Sequence, residues 1–406
     1  MLITGATTDP ENQPGTPQTL RAMNERILLE YLRHHGPHTR AQLARTTGLS
    51  KPTVSQALAN LERTGLARPI GQIGSKRGGR QAILYEFDPT AGYVVGIDIG
   101  RAWVRVAIAD LTGSIIKRSD TTNYAQSAEV LVTIATELAH NTVTEAGFSW
   151  SQVIHTVIGT PGVLAPSEES LQFAPNLPDW DKVGLVDMLR QALESTITVD
   201  NDANLAAIGE RTFGCGRTVE TFVFLMVGTG IGMGIVINGT LFRGAHGAAG
   251  EIGFLPLLQL QNGIGPSPRG ILEEAAAAES IAREALALGM SAPLTAKQVF
   301  EAAHQGDQTA IAVVEQEGHK LALAIATITA VLDPEIVVLG GGVGSNVDLL
   351  RASIERRLSE ITPIQTQIVG SELGEDGVLL GAIATALPVA RNHVFKQHSQ
   401  EKHISE

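Results

Sequence analysis

A glycine loop between two buried strands is the feature that most limits how this 406-residue chain can fold. The loop, Gly228-Thr229-Gly230-Ile231-Gly232, interrupts an apolar, β-branched run, and two carboxylates, Asp202 and Glu251, flank it along the chain. Loops of this kind turn backbone N–H groups toward bound phosphates. Carboxylates beside them hold sugar hydroxyls or remove a proton from one. Taken alone, the segment from Val199 to Phe254 therefore predicts a phosphotransfer site.

The charge distribution points to a second function near the N-terminus. The whole chain has a net charge of −12, yet residues 40–80 contain eight Lys or Arg and one acid. A basic module on an acidic body is the pattern of a protein that binds a polyanion with one part only. The single cysteine, Cys215, excludes a disulfide framework and a multi-cysteine metal cluster. Because there is no signal-peptide pattern and no membrane-spanning run, we expect a cytoplasmic protein.

The basic region has the spacing of a winged helix-turn-helix. One helix runs from about residue 20 to Gly36-Pro37, a second follows the N-cap Thr39, and a third follows the N-cap Ser50. The turn between the second and third is short, and two strands, Leu66–Ile70 and Ala82–Phe87, follow with a basic tip between them. We predict a disordered tail at 1–18 and a DNA-binding domain at 19–88.

The candidate DNA contacts lie on the third helix and on the wing. Side chains near the start of the third helix are expected to reach the major groove, whereas the basic wing tip contacts phosphates or the minor groove. The predicted DNA-binding residues are Arg40, Lys51, Thr53, Ser55, Gln56, Lys76, Arg77 and Arg80.

The remainder of the chain contains an internal duplication. A strand, a glycine turn and a second strand occur at Tyr93–Asp110 and again at Thr221–Leu241. Hairpins are antiparallel, whereas alternating strands and helices favour parallel pairing, so the pattern predicts mixed sheets in a two-lobed α/β body with a cleft between the lobes. We place this body at 89–392, with lobes at about 93–200 plus the C-terminal helix and at 201–375, and a flexible tail at 393–406.

Eight motifs together resemble the ROK family of repressors, open reading frames and sugar kinases from about residue 20 onward. They are Gly-Leu-Ser-Lys-Pro-Thr-Val-Ser at 48–55, Gly-Gly-Arg at 78–80, Thr-Pro-Gly at 160–162, Pro-Asn-Leu-Pro-Asp-Trp at 175–180, Asn-Asp-Ala-Asn at 201–204, Gly-Thr-Gly-Ile-Gly at 228–232, Gly-Glu-Ile-Gly at 250–253 and Gly-Gly-Gly-Val at 340–343. The chain is similar to the family's xylose and N-acetylglucosamine repressors. The resemblance implies a winged helix-turn-helix followed by a duplicated actin-like ATPase (ribonuclease H-like) body.

The resemblance also implies the ligand contacts. Gly162, Asn201, Asp202, Glu251 and Glu273 match the family residues that contact a sugar, and Asp202 matches the general base of the family's kinases. Simpler roles stay open for two of them. Asp202 could cap a helix, and Glu273 could be a solvated charge at a helix start.

Three departures from the family pattern argue against a kinase. Asp98-Ile99-Gly100-Arg101-Ala102-Trp103 stands where family kinases have Asp-x-Gly-Gly-Thr-Lys, so a hydroxyl is lost and bulky side chains enter the phosphate turn. Phe254 replaces a zinc-binding His, and Ile264, Pro266 and Ile271 align with zinc-binding cysteines, so we predict no zinc. A buried Phe254 ring would also remove a polar contact to the sugar and change ligand choice.

Together these features predict a non-enzymatic transcriptional regulator of carbohydrate genes, and they favour a repressor over an activator. It would bind a palindromic operator as a homodimer or tetramer and respond to a sugar or sugar phosphate, with neither zinc nor Mg²⁺-ATP and with no membrane partner. Two alternatives stay open. Asp202 and the intact Gly228–Gly232 loop favour an active sugar kinase with an added DNA-binding domain, and the altered sugar site favours a repressor controlled by a protein partner.

Overall fold

The computed structural model describes residues 17–74, 81–164, 171–172, 174, 177–256 and 269–400. The described chain divides into two compact units. The first draws its described residues from Met1–Gly92, Asp110–Thr112 and Ala390–Glu406, and the second consists of those in Tyr93–Ala109 and Gly113–Val389.

The first unit contains the predicted helix-turn-helix and wing. Its elements before residue 92 are α1 (Pro17–His35), β1 (His38–Thr39), α2 (Arg40–Thr47), α3 (Lys51–Arg63), β2 (Ala67–Ile73) and β3 (Ala82–Phe87). The strands form one sheet in the order β1-β3-β2, and β2 pairs antiparallel with β3. Helix α1 begins at Pro17, so residues 17 and 18 are helical and the predicted disordered tail is wrong for them; the remainder of that tail lies outside the described residues.

The predicted caps define the turn between α2 and α3. Thr39 and Gln42 form a capping box at the start of α2, and Gly48 ends that helix with a φ of 72°. The Ser50 side chain accepts the Thr53 N–H at the start of α3. The buried face of α3 is the predicted one and consists of Val54, Ala57, Leu58 and Leu61. The local sequence signals therefore define where α2 ends and where α3 begins.

The second unit contains two five-stranded sheets. The strands are β4 (Tyr93–Ile99), β5 (Trp103–Asp110), β6 (Ile115–Thr122), β7 (Val153–Thr160), β8 (Val163–Leu164), β9 (Leu171–Gln172), β10 (Ile197–Asn201), β11 (Phe222–Val227), β12 (Ile231–Ile237), β13 (Thr240–Leu241), β14 (Ile336–Gly340) and β15 (Gln367–Gly370). The helices are α4 (Ala128–Glu145), α5 (Leu185–Leu193), α6 (Asp202–Phe213), α7 (Ile271–Ala276), α8 (Ala278–Ala287), α9 (Ala296–His304), α10 (Gln308–Leu332), α11 (Gly341–Gly344), α12 (Val347–Ile361) and α13 (Gly377–Gln400).

The two sheets have the same strand plan, which confirms the predicted duplication. The first has the order β10-β7-β4-β5-β6, and the second, read from its other edge, has the equivalent order β15-β14-β11-β12-β13. In each sheet a meander of three successive strands is extended by two strands that pair in parallel. Both sheets are therefore mixed, as predicted. A separate apolar core accompanies each sheet, so each sheet forms the centre of one lobe.

The C-terminal helix α13 extends further than predicted. The sequence placed the end of this helix at Ala390 and a flexible tail from residue 393, but the helix continues to Gln400 and Val394 is buried. Val394 thus supplies a buried apolar side chain within an otherwise polar, His-rich stretch. Near its start, a Cβ atom at Gly96 would lie 3.1 Å from the Leu379 carbonyl oxygen, so α13 packs on β4 because position 96 is glycine.

One stretch that includes most of α13, Gly374–Gln397, is long and apolar enough to cross a membrane. Half of its most apolar part is buried within the protein. Core helices of soluble proteins have the same property, so length and composition alone do not make this helix a membrane span.

Candidate functional site

A cleft of about 660 Å³ lies in the second unit and is lined by residues from both lobes. The first lobe contributes the ends of β4 and β10, and the second contributes the glycine loop between β11 and β12 and the glycine turn after β14. All five predicted ligand-binding residues line this one cleft: Gly162, Asn201, Asp202, Glu251 and Glu273. The structure therefore brings together the predicted set, and its contact with a ligand stays a prediction.

Asn201, and not Asp202, is the N-cap of α6. Its Oδ1 accepts the N–H groups of Ala203 at 2.9 Å and Asn204 at 3.2 Å, and its Nδ2 donates to the Gly162 carbonyl oxygen at 3.2 Å. The interpretation of Asp202 as the helix cap is therefore wrong. Asp202 is the first residue of the helix, where its carboxylate lines the cleft and also accepts the Ala203 N–H at 2.8 Å.

Glu273 is buried rather than solvated. One of its carboxylate oxygens accepts the Ile231 N–H at 2.9 Å, and the other accepts from Arg269 Nε at 3.0 Å. Its relative exposure is 8%, so the interpretation as a solvated charge at a helix start is wrong. Glu273 connects α7 to the glycine loop, because Ile231 is the first residue of β12 after the loop's turn.

Glu251 is placed against β12 by the residue before it. Gly250 has a φ of 101°, and a Cβ atom there would lie 1.9 Å from the Met233 carbonyl oxygen. Only glycine fits this position without a backbone shift. The sequence Gly-Glu therefore fixes where the Glu251 carboxylate enters the cleft.

The carboxylates of the cleft affect one another's ionisation. Burial, followed by the charges of Asp98 and Glu273, raises the pKa of Asp202 to about 7. Burial, followed by the charges of Asp202 and Glu273, raises the pKa of Glu251 to about 7. A cluster of acids with raised pKa values accepts hydrogen bonds strongly once a donor such as a sugar hydroxyl arrives.

The end of the cleft beside the turn after β4 carries internal ion pairs. Burial raises the pKa of Asp98 to about 6, although Arg105 Nη1 donates to its Oδ2 at 3.1 Å. Arg105 also donates from Nη2 to Glu375 at 3.0 Å. Arg101, in the turn that departs from the family's phosphate motif, donates to Glu279. The glycine loop keeps a tight turn, in which the Gly228 N–H donates to the Gly230 carbonyl oxygen at 2.9 Å.

Phe254 is 39% exposed and lines the cleft, so the expectation of a buried ring is wrong. It is the last residue of a short 3₁₀ helix, Ile252–Phe254, in which Ile252 and Gly253 occupy the buried positions. Of the zinc-loop positions, Ile264 and Pro266 lie outside the described residues, and Ile271 begins α7.

An ion pair that was not predicted from the sequence connects the strand before Asp202 to the loop before Glu251. Asp200 is buried in β10, and Arg243 donates to both of its oxygens at 2.8 and 2.5 Å. Asp200 lies two residues before Asp202, and Arg243 lies in the loop that leads to Glu251. The sequence signal that could have predicted this pair is Asp200 itself, an acid near the end of an apolar strand, where a buried charge needs a partner.

Replacing Arg243 with alanine is expected to lower effector affinity by about tenfold and to lower the melting temperature, because Asp200 would stay buried without its bidentate partner. Isothermal titration calorimetry and thermal denaturation measure the two effects. Arg190→Ala, which removes an exposed pair with Asp187, is the control and should change neither. Unchanged effector affinity in the Arg243 variant would show that the pair does not position the cleft.

The predicted DNA-binding residues differ in their exposure and in the contacts that they already make. Lys51, Ser55 and Gln56 are exposed on the first two turns of α3. Thr53 is partly buried, and its hydroxyl lies 2.8 Å from the Ser50 hydroxyl, so it belongs to the cap. The Arg40 guanidinium lies over the Tyr85 ring, 5.0 Å from its centroid, and donates to the Tyr85 hydroxyl. The remaining three predicted contacts, Lys76, Arg77 and Arg80, lie outside the described residues.

Comparison with known proteins finds a matching family model for each of the two units. The ROK family model matches residues 94–388, and a MarR family model matches residues 21–78. The chain is similar to the xylose repressor of Bacillus subtilis (strain 168), with 25% identity over 366 residues that cover 89% of this chain and 94% of that protein. It is also similar to the glucokinase of Thermotoga maritima, with 31% identity over 308 residues that cover 71% and 95% of the two chains.

A solved structure has the same architecture over nearly the whole chain. The crystal structure of a ROK family transcriptional regulator, described as a homolog of the Escherichia coli MLC protein, superposes with a TM-score of 0.74 at 20% identity. The match covers 94% of this chain and 99% of that one. It confirms the predicted fold of a winged helix-turn-helix followed by a two-lobed, actin-like body.

Proposed function

The chain belongs to the ROK family, and we propose that it is a DNA-binding transcriptional repressor whose effector is a sugar or sugar phosphate held in the cleft. One observation carries the proposal. The first turns of α3, the second helix of the helix-turn-helix, carry exposed polar side chains, and a separate cleft in the same chain is lined by a cluster of carboxylates. The first suits the edges of bases, and the second suits hydroxyl groups.

The DNA-binding part supports a dimeric repressor. One recognition helix reads too few base pairs to single out a site in a genome, so two copies related by a two-fold axis would read a palindrome. The xylose repressor named above is a similar protein over most of its length, which supports the assignment of a repressor to this chain. We expect a cytoplasmic homodimer or tetramer, because operator DNA is reached there.

We propose that the cleft does not carry out phosphate transfer, even though a glucokinase is also similar to the chain. Asp98 already pairs with Arg105, so it does not offer the free charge that a metal-bound triphosphate requires. Arg101 in the turn after β4 and Trp103 at the start of β5 bring bulky side chains to the part of the cleft in which backbone would have to approach phosphates. A coupled ADP-release assay with MgATP and a panel of hexoses tests this. Turnover of about 1–100 per second, typical of kinases, would contradict it.

The residues present do not fit the family's zinc site. The Phe254 ring has no ligating atom. The thiol of Cys215 donates to Glu210, and burial raises its pKa to about 12, so it is not the thiolate that zinc requires. We therefore propose that the positions of this chain that align with the family's zinc ligands do not hold zinc.

The function is tested on the full-length protein with DNA selected from a random duplex library. Selection should enrich a palindrome, and operator affinity should fall steeply with salt because Lys and Arg displace counterions from phosphates. A panel of xylose, glucose, N-acetylglucosamine and their phosphates is then added to the complex. At least one sugar should release the DNA. A protein that enriches no sequence, or whose DNA affinity does not depend on salt, would refute the proposal.

Effector affinity is expected to rise with pH between about pH 6 and pH 8 and then to level off. The free cleft holds Asp202 and Glu251 with pKa values of about 7, so both carry protons in part below neutral pH. Hydroxyl donors favour the ionised carboxylates and lower their pKa in the complex, so binding releases protons. Calorimetry with a neutral sugar in buffers of different ionisation enthalpy measures that release. A flat profile would show that the carboxylates do not accept the ligand's hydroxyl groups.

A further inference from the structure

A chain of ion pairs crosses the cleft from one lobe to the other. It begins at Arg101, in the turn between β4 and β5 of the first lobe. Arg101 Nη1 lies 2.5 Å from Glu279 Oε1, and Glu279 lies in the first turn of α8 in the second lobe. The two residues are 178 positions apart in the sequence, so the contact exists only because the two lobes face each other at this distance.

The second-lobe end of the chain is firmly held. Glu279 Oε2 accepts from Arg269 Nη1 at 2.8 Å, and Arg269 Nη2 donates to the Thr229 carbonyl oxygen of the glycine loop, also at 2.8 Å. Arg269 Nε donates in turn to Glu273 at 3.0 Å. The N–H of Ala278, at the start of α8, donates to the Gly228 carbonyl oxygen at 2.8 Å. Glu279 is thus fixed to the glycine loop from two sides.

We propose that Arg101 and Glu279 form a bridge between the lobes that takes the place of nucleotide phosphates and holds the cleft around an effector without any nucleotide. Arg101 lies in the turn after β4, and Glu279 lies beside the glycine loop, a kind of loop whose backbone N–H groups suit phosphate oxygens. The bridge presents its guanidinium to a protein carboxylate, which supplies the negative charge that a phosphate would bring. Through Arg269, the bridge also reaches Glu273 in the carboxylate end of the cleft. Arg101 is therefore a positioning residue.

The bridge acts on lobe closure rather than on folding stability. Arg101 and Glu279 are 44% and 50% exposed, and an isolated pair of that kind contributes little to stability. A contact made only when the lobes are closed nevertheless shifts the balance between open and closed cleft, because it favours one of the two states. A ligand that binds only the closed cleft gains affinity by the factor by which the bridge raises the fraction of closed molecules.

A double-mutant cycle on the full-length protein tests the bridge, with Arg101→Ala, Glu279→Ala and the double variant. Arg101→Ala should weaken the binding of a neutral sugar about fivefold, and Glu279→Ala should weaken it at least as much because it also releases Arg269. The double variant should lose little more than Glu279→Ala, because Arg101 acts only through Glu279. Arg190→Ala is the matched control, since it removes an exposed ion pair outside the cleft. Additive losses, or single variants that bind within about twofold of the wild type, would overturn the proposal.

A second measurement separates the bridge from the proposed function. Spin labels at Asp120→Cys in the first lobe and Glu301→Cys in the second, in a Cys215→Ser background, report the distance between lobes with no ligand added. Arg101→Ala should broaden the distribution of that distance and increase its mean. An unchanged distribution would refute the bridge even if no sugar is found to bind. A loss of affinity confined to phosphorylated sugars would also refute it, because Arg101 and Arg269 would then be a phosphate site.

Discussion

Replacing Asp202 with alanine is expected to weaken effector binding by about 100-fold and to leave operator affinity within about twofold of the wild type. The carboxylate lies at the start of α6 and shares the cleft with Glu251 and Glu273. Hydrogen bonds from a ligand to a charged, largely desolvated group are worth about 1.5–3 kcal/mol each, and a sugar can offer two hydroxyl groups to one carboxylate. In a cell, the variant repressor should no longer respond to its sugar.

The controls for Asp202→Ala separate charge from shape. Asp202→Asn keeps the side chain's size and the acceptor that receives the Ala203 N–H at 2.8 Å, but it removes the charge. It should retain the fold and lose most of the affinity. It should also remove part of the pH dependence of binding, since the pKa of Asp202 is raised to about 7. Calorimetry and fluorescence anisotropy with operator DNA measure both functions on one protein. An alanine variant that still releases DNA at the wild-type sugar concentration would place the effector elsewhere.

Local sequence signals predicted the DNA-binding unit most completely. The caps at Thr39 and Ser50, the end of α2 at Gly48 and the buried stripe of α3 all depend on residues within four positions of one another. Such contacts are encoded by spacing alone. The duplicated sheets were predictable for a related reason, since strand alternation and turn residues recur in both halves.

Contacts between distant parts of the chain were not predictable from spacing. Asp200 and Arg243 pair across 43 positions, and Arg101 and Glu279 pair across 178. Nothing local marks either acid as a partner of either arginine. The exposure of Phe254 has a local cause instead, because Ile252 and Gly253 occupy the buried positions of the same short helix. The sequence identified five residues that line the cleft, and only the fold revealed the groups that hold them in place.

The helical end of the chain shows how composition can mislead. Residues after Asn392 are polar and include three histidines, a composition typical of a frayed terminus. Val394 in this stretch is nevertheless buried, and α13 continues to Gln400. A single contact of this kind has no periodic pattern, so the sequence offered no signal for it.

Changing Lys51 and Gln56 together to alanine is expected to weaken operator binding by about 1,000-fold or more. Both side chains are exposed at the start of α3, where a recognition helix meets base edges. Each specific base contact is worth about 1–3 kcal/mol, and the loss counts twice in a dimer that reads a palindrome. DNA of random sequence should bind only slightly less well, because base contacts discriminate between sequences, whereas contacts with phosphates do not.

The matched control for that change is Arg63→Ala, which removes a cation from the opposite end of the same helix. It should lower the affinity for selected and random DNA alike by a small factor, because a charge there acts on phosphates only. Thr53→Val should destabilise the start of α3, since the Thr53 hydroxyl lies 2.8 Å from the Ser50 hydroxyl, without changing which bases are preferred. If the Lys51 and Gln56 variant instead lost affinity for all DNA equally, α3 would be a backbone-contacting helix, and sequence readout would have to come from the wing.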